Sequence, residues 1–128
     1  MPTRVVTGTV DKFFVDGGSE ITYLGNTSFE SSTSFNYRAF RVNPAGTGDL
    51  LVKLVKSSGV DSIEVFQEDS YTSGNAPSGY FKFFNVAKAG KEKGAVGVTV
   101  TDATKDYVVL LELATDSGTN YVCEVDVP

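Results

Sequence analysis

The side chains in this sequence that could do chemistry are carboxylates, tyrosines and small hydroxyls; there is no histidine and one cysteine. Without imidazole there is no nucleophile–histidine pair, no HExxH zinc site and no side chain that ordinarily titrates near neutral pH. Cys123 alone makes neither an intrachain disulfide nor a CxxC metal site. Its alternation with Tyr121 and Val125 predicts a thiol buried as a small hydrophobe. Cleavage of a glycosidic bond needs only two carboxyl groups at the right separation, and Glu64, Glu68 and Asp69 are the nearest such group. Glu64 lies between Ile63 and Val65, so it is expected to face solvent from a strand that Glu68 and Asp69 end. The chain is therefore expected to be noncatalytic and to use no cofactor.

Two stretches offer hard oxygen ligands of the kind calcium takes. They are Asp102 and Asp106 in Thr-Asp-Ala-Thr-Lys-Asp, and Asp116 with Asn120 in Thr-Asp-Ser-Gly-Thr-Asn. Neither has the spacing of an EF-hand, and turn formation accounts for both without a metal. Tyr71, Asn75 and Tyr80 stand in a run of Ser, Thr, Gly and Pro that combines flat apolar rings with hydroxyl donors. That is the chemistry of a glycan- or protein-contact loop, and equally of a plain surface loop. Asn26-Thr27-Ser28 has the form of an N-glycosylation acceptor, which matters only in a eukaryotic secretory pathway.

These residues must be positioned by strands, because apolar residues recur at every second position and nowhere at helical spacing. Nine short strands are expected, over residues 4–15, 20–24, 35–42, 49–56, 62–67, 80–87, 95–101, 107–113 and 121–127. Clusters such as Asp16-Gly17-Gly18, Asn43-Pro44-Ala45-Gly46 and Ser57-Ser58-Gly59 supply the turns between them. The pattern predicts an all-β chain with no significant helix. It reads as one antiparallel, jelly-roll-like β-sandwich of about eight or nine strands spanning residues 1–128.

In the last strand Tyr121, Cys123, Val125 and Val127 point in, while Val122, Glu124 and Asp126 point out. Three other strands do not alternate in this way: Tyr80-Phe81-Lys82-Phe83-Phe84 puts aromatics on both faces, Tyr107 to Leu111 is apolar throughout, and Leu50 to Val55 is nearly so. Either the long loops and the N-terminal segment with Phe13 and Phe14 cover these outer faces, or a neighbouring subunit does so through Phe81, Phe83, Val108 and Leu110.

The formal charge is −5, from 11 Lys and Arg against 16 Asp and Glu, which repels a phosphate backbone and excludes nucleic acid as an expected partner. Lys88, Lys91 and Lys93, interrupted by Glu92, read as a solvated hairpin turn. No apolar run reaches the length of a membrane-spanning helix, and the first ten residues lack the pattern of a signal peptide. A cytoplasmic product is expected, or a segment whose targeting sequence is missing.

From Asn36 onward the chain resembles the bacterial pre-peptidase C-terminal type of β-sandwich. The stretches that carry the resemblance are Tyr37-Arg38-Ala39-Phe40-Arg41-Val42, Gly48-Asp49-Leu50-Leu51-Val52-Lys53-Leu54, Asp61-Ser62-Ile63-Glu64-Val65-Phe66 and Asn120-Tyr121-Val122-Cys123-Glu124-Val125. The Gly-x-Tyr usual before the closing strand is replaced by Thr119-Asn120 before Tyr121. The resemblance implies a noncatalytic module of a secreted bacterial protein that binds glycan or protein. The residues themselves point first to a structural or adhesive sandwich, similar to virion proteins that decorate a capsid or build a tail. Its expected partners are protein subunits, and its place is the virion, or the cytoplasm before assembly.

Overall fold

In a computed structural model of the chain, the described residues are 3–9, 13–16, 19–27, 36–67, 82–85, 94–113 and 120–128. They form ten strands: β1 (Thr3–Thr9), β2 (Phe13–Asp16), β3 (Ile21–Thr27), β4 (Asn36–Val42), β5 (Gly48–Ser58), β6 (Val60–Gln67), β7 (Lys82–Asn85), β8 (Gly94–Val100), β9 (Tyr107–Leu113) and β10 (Asn120–Asp126). Two five-stranded antiparallel sheets result, ordered β2-β1-β10-β5-β8 and β3-β4-β9-β6-β7. The all-β sandwich expected from the alternation is the observed fold.

The pairing explains the order. β1 pairs with β10, β4 with β9, β5 with β8 and β6 with β7, which is one long antiparallel hairpin. Rolling that hairpin so that β10 also meets β5, and β9 also meets β6, produces the two sheets of a jelly roll. β2 and β3 extend the two sheets at one side. Between the end of β5 and the start of β6 a single residue, Gly59, carries the chain from the first sheet to the second. At φ +102° this residue occupies a conformation that L side chains rarely adopt, so glycine is required there.

One predicted strand is corrected. Residues 4–15 are not a single strand but a hairpin, with Phe14 opposite Thr7 and Phe13 opposite Gly8. Val6 lies opposite Val15 and shares its face, whereas a single strand would send an even and an odd position to opposite faces, so the alternation changes phase between the two arms.

The core lies between the sheets. Val52, Leu54, Val98, Tyr121, Cys123 and Val125 of the first sheet pack against Phe40, Val65, Val109 and Leu111 of the second. A second apolar cluster of Ala39, Phe66, Val108 and Leu110, with Leu24 against it, occupies the opposite face of the second sheet. The register fixes that face: Ala39, Leu110 and Glu64 stand in one cross-strand row, while Phe40, Val109 and Val65 stand in the next and point inward. Val108 and Leu110 have no exposed surface within this one chain. These two residues, expected as contacts for a neighbouring subunit, are covered by the chain itself. Burial of each contributes about 1.5–3 kcal/mol to the chain's own stability.

The outer face of the first sheet differs. Lys53 Nζ lies 3.4 Å from both Glu124 and Asp126, and the Thr3 hydroxyl donates to Asp126 at 2.8 Å. At the rim Arg4 of β1 forks onto Glu20, just before β3, with contacts of 2.9 and 3.1 Å that tie the two sheets together.

Candidate functional site

The alternation of β6 sends Ser62, Glu64 and Phe66 to the outer face of the second sheet, and β9 sends Val108, Leu110 and Glu112 to the same face. Ser62 stands opposite Glu112, and Glu64 stands opposite Leu110. Glu64 is only 1% exposed, so the expectation of a solvent-facing side chain is corrected. The alternation identified its face, but that face is covered.

The Ser62 hydroxyl lies 3.3 Å from Glu64 Oε1 and 3.1 Å from Glu112 Oε2. It carries one proton and donates to one carboxylate at a time, so both contacts are satisfied together only when a carboxyl proton on one glutamate points back at the hydroxyl. Glu64 Oε2 is buried with no hydrogen-bond partner. Burial, and then the charge of Glu112, push the Glu64 carboxyl up to about 7, with the Ser62 contact pulling the other way. The arrangement can hold a proton near neutral pH. It leaves no surface through which Glu64 could reach a substrate. Ser62 and Glu112 were not singled out from the sequence; the signal was present as a lone charge in the otherwise apolar run Tyr107–Leu113.

Asp102 forms a turn. Its carboxylate accepts the Thr104 backbone N–H at 2.9 Å and the Thr104 hydroxyl at 2.6 Å, and its carbonyl accepts the Lys105 N–H at 3.1 Å. These bonds hold its carboxyl below the usual carboxylate range. Among the described residues no group of three or more acidic or cysteine side chains is placed to share a metal, and Asp102 and Asp106 form no such group. Asp116, Glu68, Asp69, Tyr71, Asn75, Tyr80 and Phe81 lie outside the described residues. Phe83 is in β7, opposite Glu64 in the register.

Cys123 is fully buried, and burial pushes its thiol up to about 12, so it is inert as a nucleophile at neutral pH. Beside it Tyr121 buries a hydroxyl that has no hydrogen-bond partner. Burial pushes the pKa of this hydroxyl well above its ordinary value, the Cys123 thiol adds to that, and the Arg38 guanidinium opposes it. Arg38 itself is 1% exposed, in the row of Leu111 and Ile63 that faces the core. Sequence reasoning missed it because an arginine in an alternating strand reads as an outward residue.

The class defined by this geometry is a jelly-roll β-sandwich. No protein-family model matches the chain, and no curated protein matches it in sequence.

Proposed function

We propose that this protein is a noncatalytic structural subunit that acts through contacts with other protein subunits, in the manner of a capsid-decorating or tail protein. The observation that carries the reading is the rolled-hairpin strand order, which recurs in capsid domains. The fates of the candidate carboxylates support it: Glu64 is enclosed, and Asp102 is spent on a turn. Mass spectrometry of purified particles from the source of this sequence tests the proposal, with the protein expected as a stoichiometric component. Its absence from such particles ends the reading.

The same strand order recurs in lectin domains. A secreted glycan- or protein-binding module, as the pre-peptidase C-terminal resemblance implies, is therefore the competing proposal. It predicts saturable glycan binding by the isolated chain that Tyr71→Ala and Tyr80→Ala abolish.

A further inference from the structure

The cluster of Ser62, Glu64 and Glu112 on the outer face of the second sheet has a demand that its own groups do not meet. Two carboxylates converge on one hydroxyl, with Ser62 Oγ 3.3 Å from Glu64 Oε1 and 3.1 Å from Glu112 Oε2. Independently of those contacts, Glu64 is 1% exposed and its Oε2 has no hydrogen-bond partner among the described residues. An orphaned oxygen on a buried carboxyl is rare in folded proteins and marks strain, a catalytic role, or a bound water or ion. Enclosure removes the catalytic role. The register of β6 on β9 is regular from Ser62 to Gln67, so no distortion of the ladder accounts for the orphan.

We propose that Glu64, Glu112 and Ser62 form a site for one calcium ion, held between β6 and β9. Charge selects the valence. Two ionised carboxylates carry a charge that one divalent cation cancels and a monovalent cation only halves, and in an enclosed place uncancelled charge is costly. Spacing selects calcium among divalent ions. Neighbouring oxygens on calcium, each about 2.3–2.6 Å from the ion, lie about 3.0–3.4 Å apart, whereas on octahedral magnesium they lie about 2.9 Å apart. The separations of 3.3 and 3.1 Å fall in the calcium range.

Calcium also takes carboxylates through both oxygens, which gives Glu64 Oε2 the partner it lacks. Glu112 is only half-buried, so the ion enters, and water completes its shell, from that side. Magnesium retains several waters, which suits an enclosed face poorly. Without calcium, the carboxyl proton shared across Ser62 holds the pair, so proton and ion are alternative occupants of one place. The site is distinct from the acidic turns, since Asp102 is occupied by Thr104. It is independent of whether the chain serves as a structural subunit or as a binding module.

Calorimetric titration of calcium chloride into the full chain, first treated with a chelator, tests the proposal. One ion per chain is expected, and saturating calcium should raise the melting temperature by several degrees, because it binds the folded chain alone. Magnesium chloride is expected to bind at least tenfold more weakly. Glu64→Gln keeps the shape of the side chain and should abolish both binding and the melting shift, while Glu112→Gln should weaken binding at least tenfold. Ser62→Ala, which removes one ligand oxygen, should weaken it severalfold and serves if either glutamine variant fails to fold. Asp102→Asn should bind calcium as the wild type does. A wild-type chain with neither calorimetric binding nor a melting shift in calcium overturns the proposal and leaves a proton or a water at the pair. So does an equal response to magnesium, and so does calcium binding that survives Glu64→Gln and Glu112→Gln, which puts the ion elsewhere on the acidic surface.

Discussion

The outer faces of the two sheets follow the same period-two pattern and meet opposite fates. On the first sheet Lys53 bridges Glu124 and Asp126 in water. On the second sheet Ala39, Phe66, Val108 and Leu110 are enclosed, and Glu64 is enclosed with them. A carboxylate on the wet face is stabilised by its solvent and its lysine. On the covered face it is held by half a hydrogen bond, and its ionisation opposes folding. Position within a strand therefore states which side a residue takes, while the covering of that side decides what its charge costs.

The largest expected effect sharpens this contrast. Leu110→Ala should cost about 2–5 kcal/mol in denaturant unfolding, as deletion from a packed core does. Leu51→Ala, on the half-exposed outer face of the first sheet, should cost about 1 kcal/mol or less. Equal losses at the two positions would break the comparison, because the outer cluster would then not be a second core.

Next is the Glu64 carboxyl, at about 7 in the folded protein against an ordinary 4.5. Between these values the folded state keeps a proton that the unfolded chain has released. The associated stability is present in full below about pH 4.5 and is lost as the pH rises through 7, to a total of about 3 kcal/mol. Glu64→Gln keeps the shape and removes the titration. Unfolding free energies measured near pH 5 and pH 8 should fall in the wild type relative to the variant, and parallel profiles would mean that Glu64 ionises freely.

A smaller effect concerns the interior between the sheets. Tyr121→Phe removes a buried hydroxyl that has no partner and should leave stability unchanged or raise it by up to about 1 kcal/mol. A clear loss would show that the hydroxyl is bonded. The smallest effect belongs to the wet face. Lys53→Ala should shift the unfolding midpoint too little to resolve at physiological salt, and a shift comparable with that of Leu110→Ala would contradict a solvated ion pair.

Much of the fold was legible because alternation survives in single strands. The pattern Tyr121, Cys123, Val125 and Val127 against Val122, Glu124 and Asp126 holds in β10 as read. The two-sided character of Tyr107 to Leu111 was legible too, and it correctly marked a face with apolar residues outward. What covers that face was not legible, since this depends on segments remote in sequence. Hence Val108 and Leu110 read as contact residues and Glu64 as exposed, although all three are enclosed. The proximity of Glu112 to Glu64 arises from the register of β6 on β9, which brings together residues about fifty positions apart. Arg38 defeats pattern reading in another way, because an inward arginine is tolerated only through interactions that other strands supply.

The rolled hairpin has a consequence for synthesis. β10 lies between β1 and β5 in the first sheet, yet it follows both in the chain. Until β10 has emerged from the ribosome, β1 and β5 each present an unpaired edge where it will sit, and the inward side chains Tyr121, Cys123 and Val125 are missing from the core. The first sheet closes only when its middle arrives, so folding is set by a late, long-range pairing and is expected to be slow for a chain of this size. Over that interval the unpaired edges of β1 and β5 are open to edge-to-edge association.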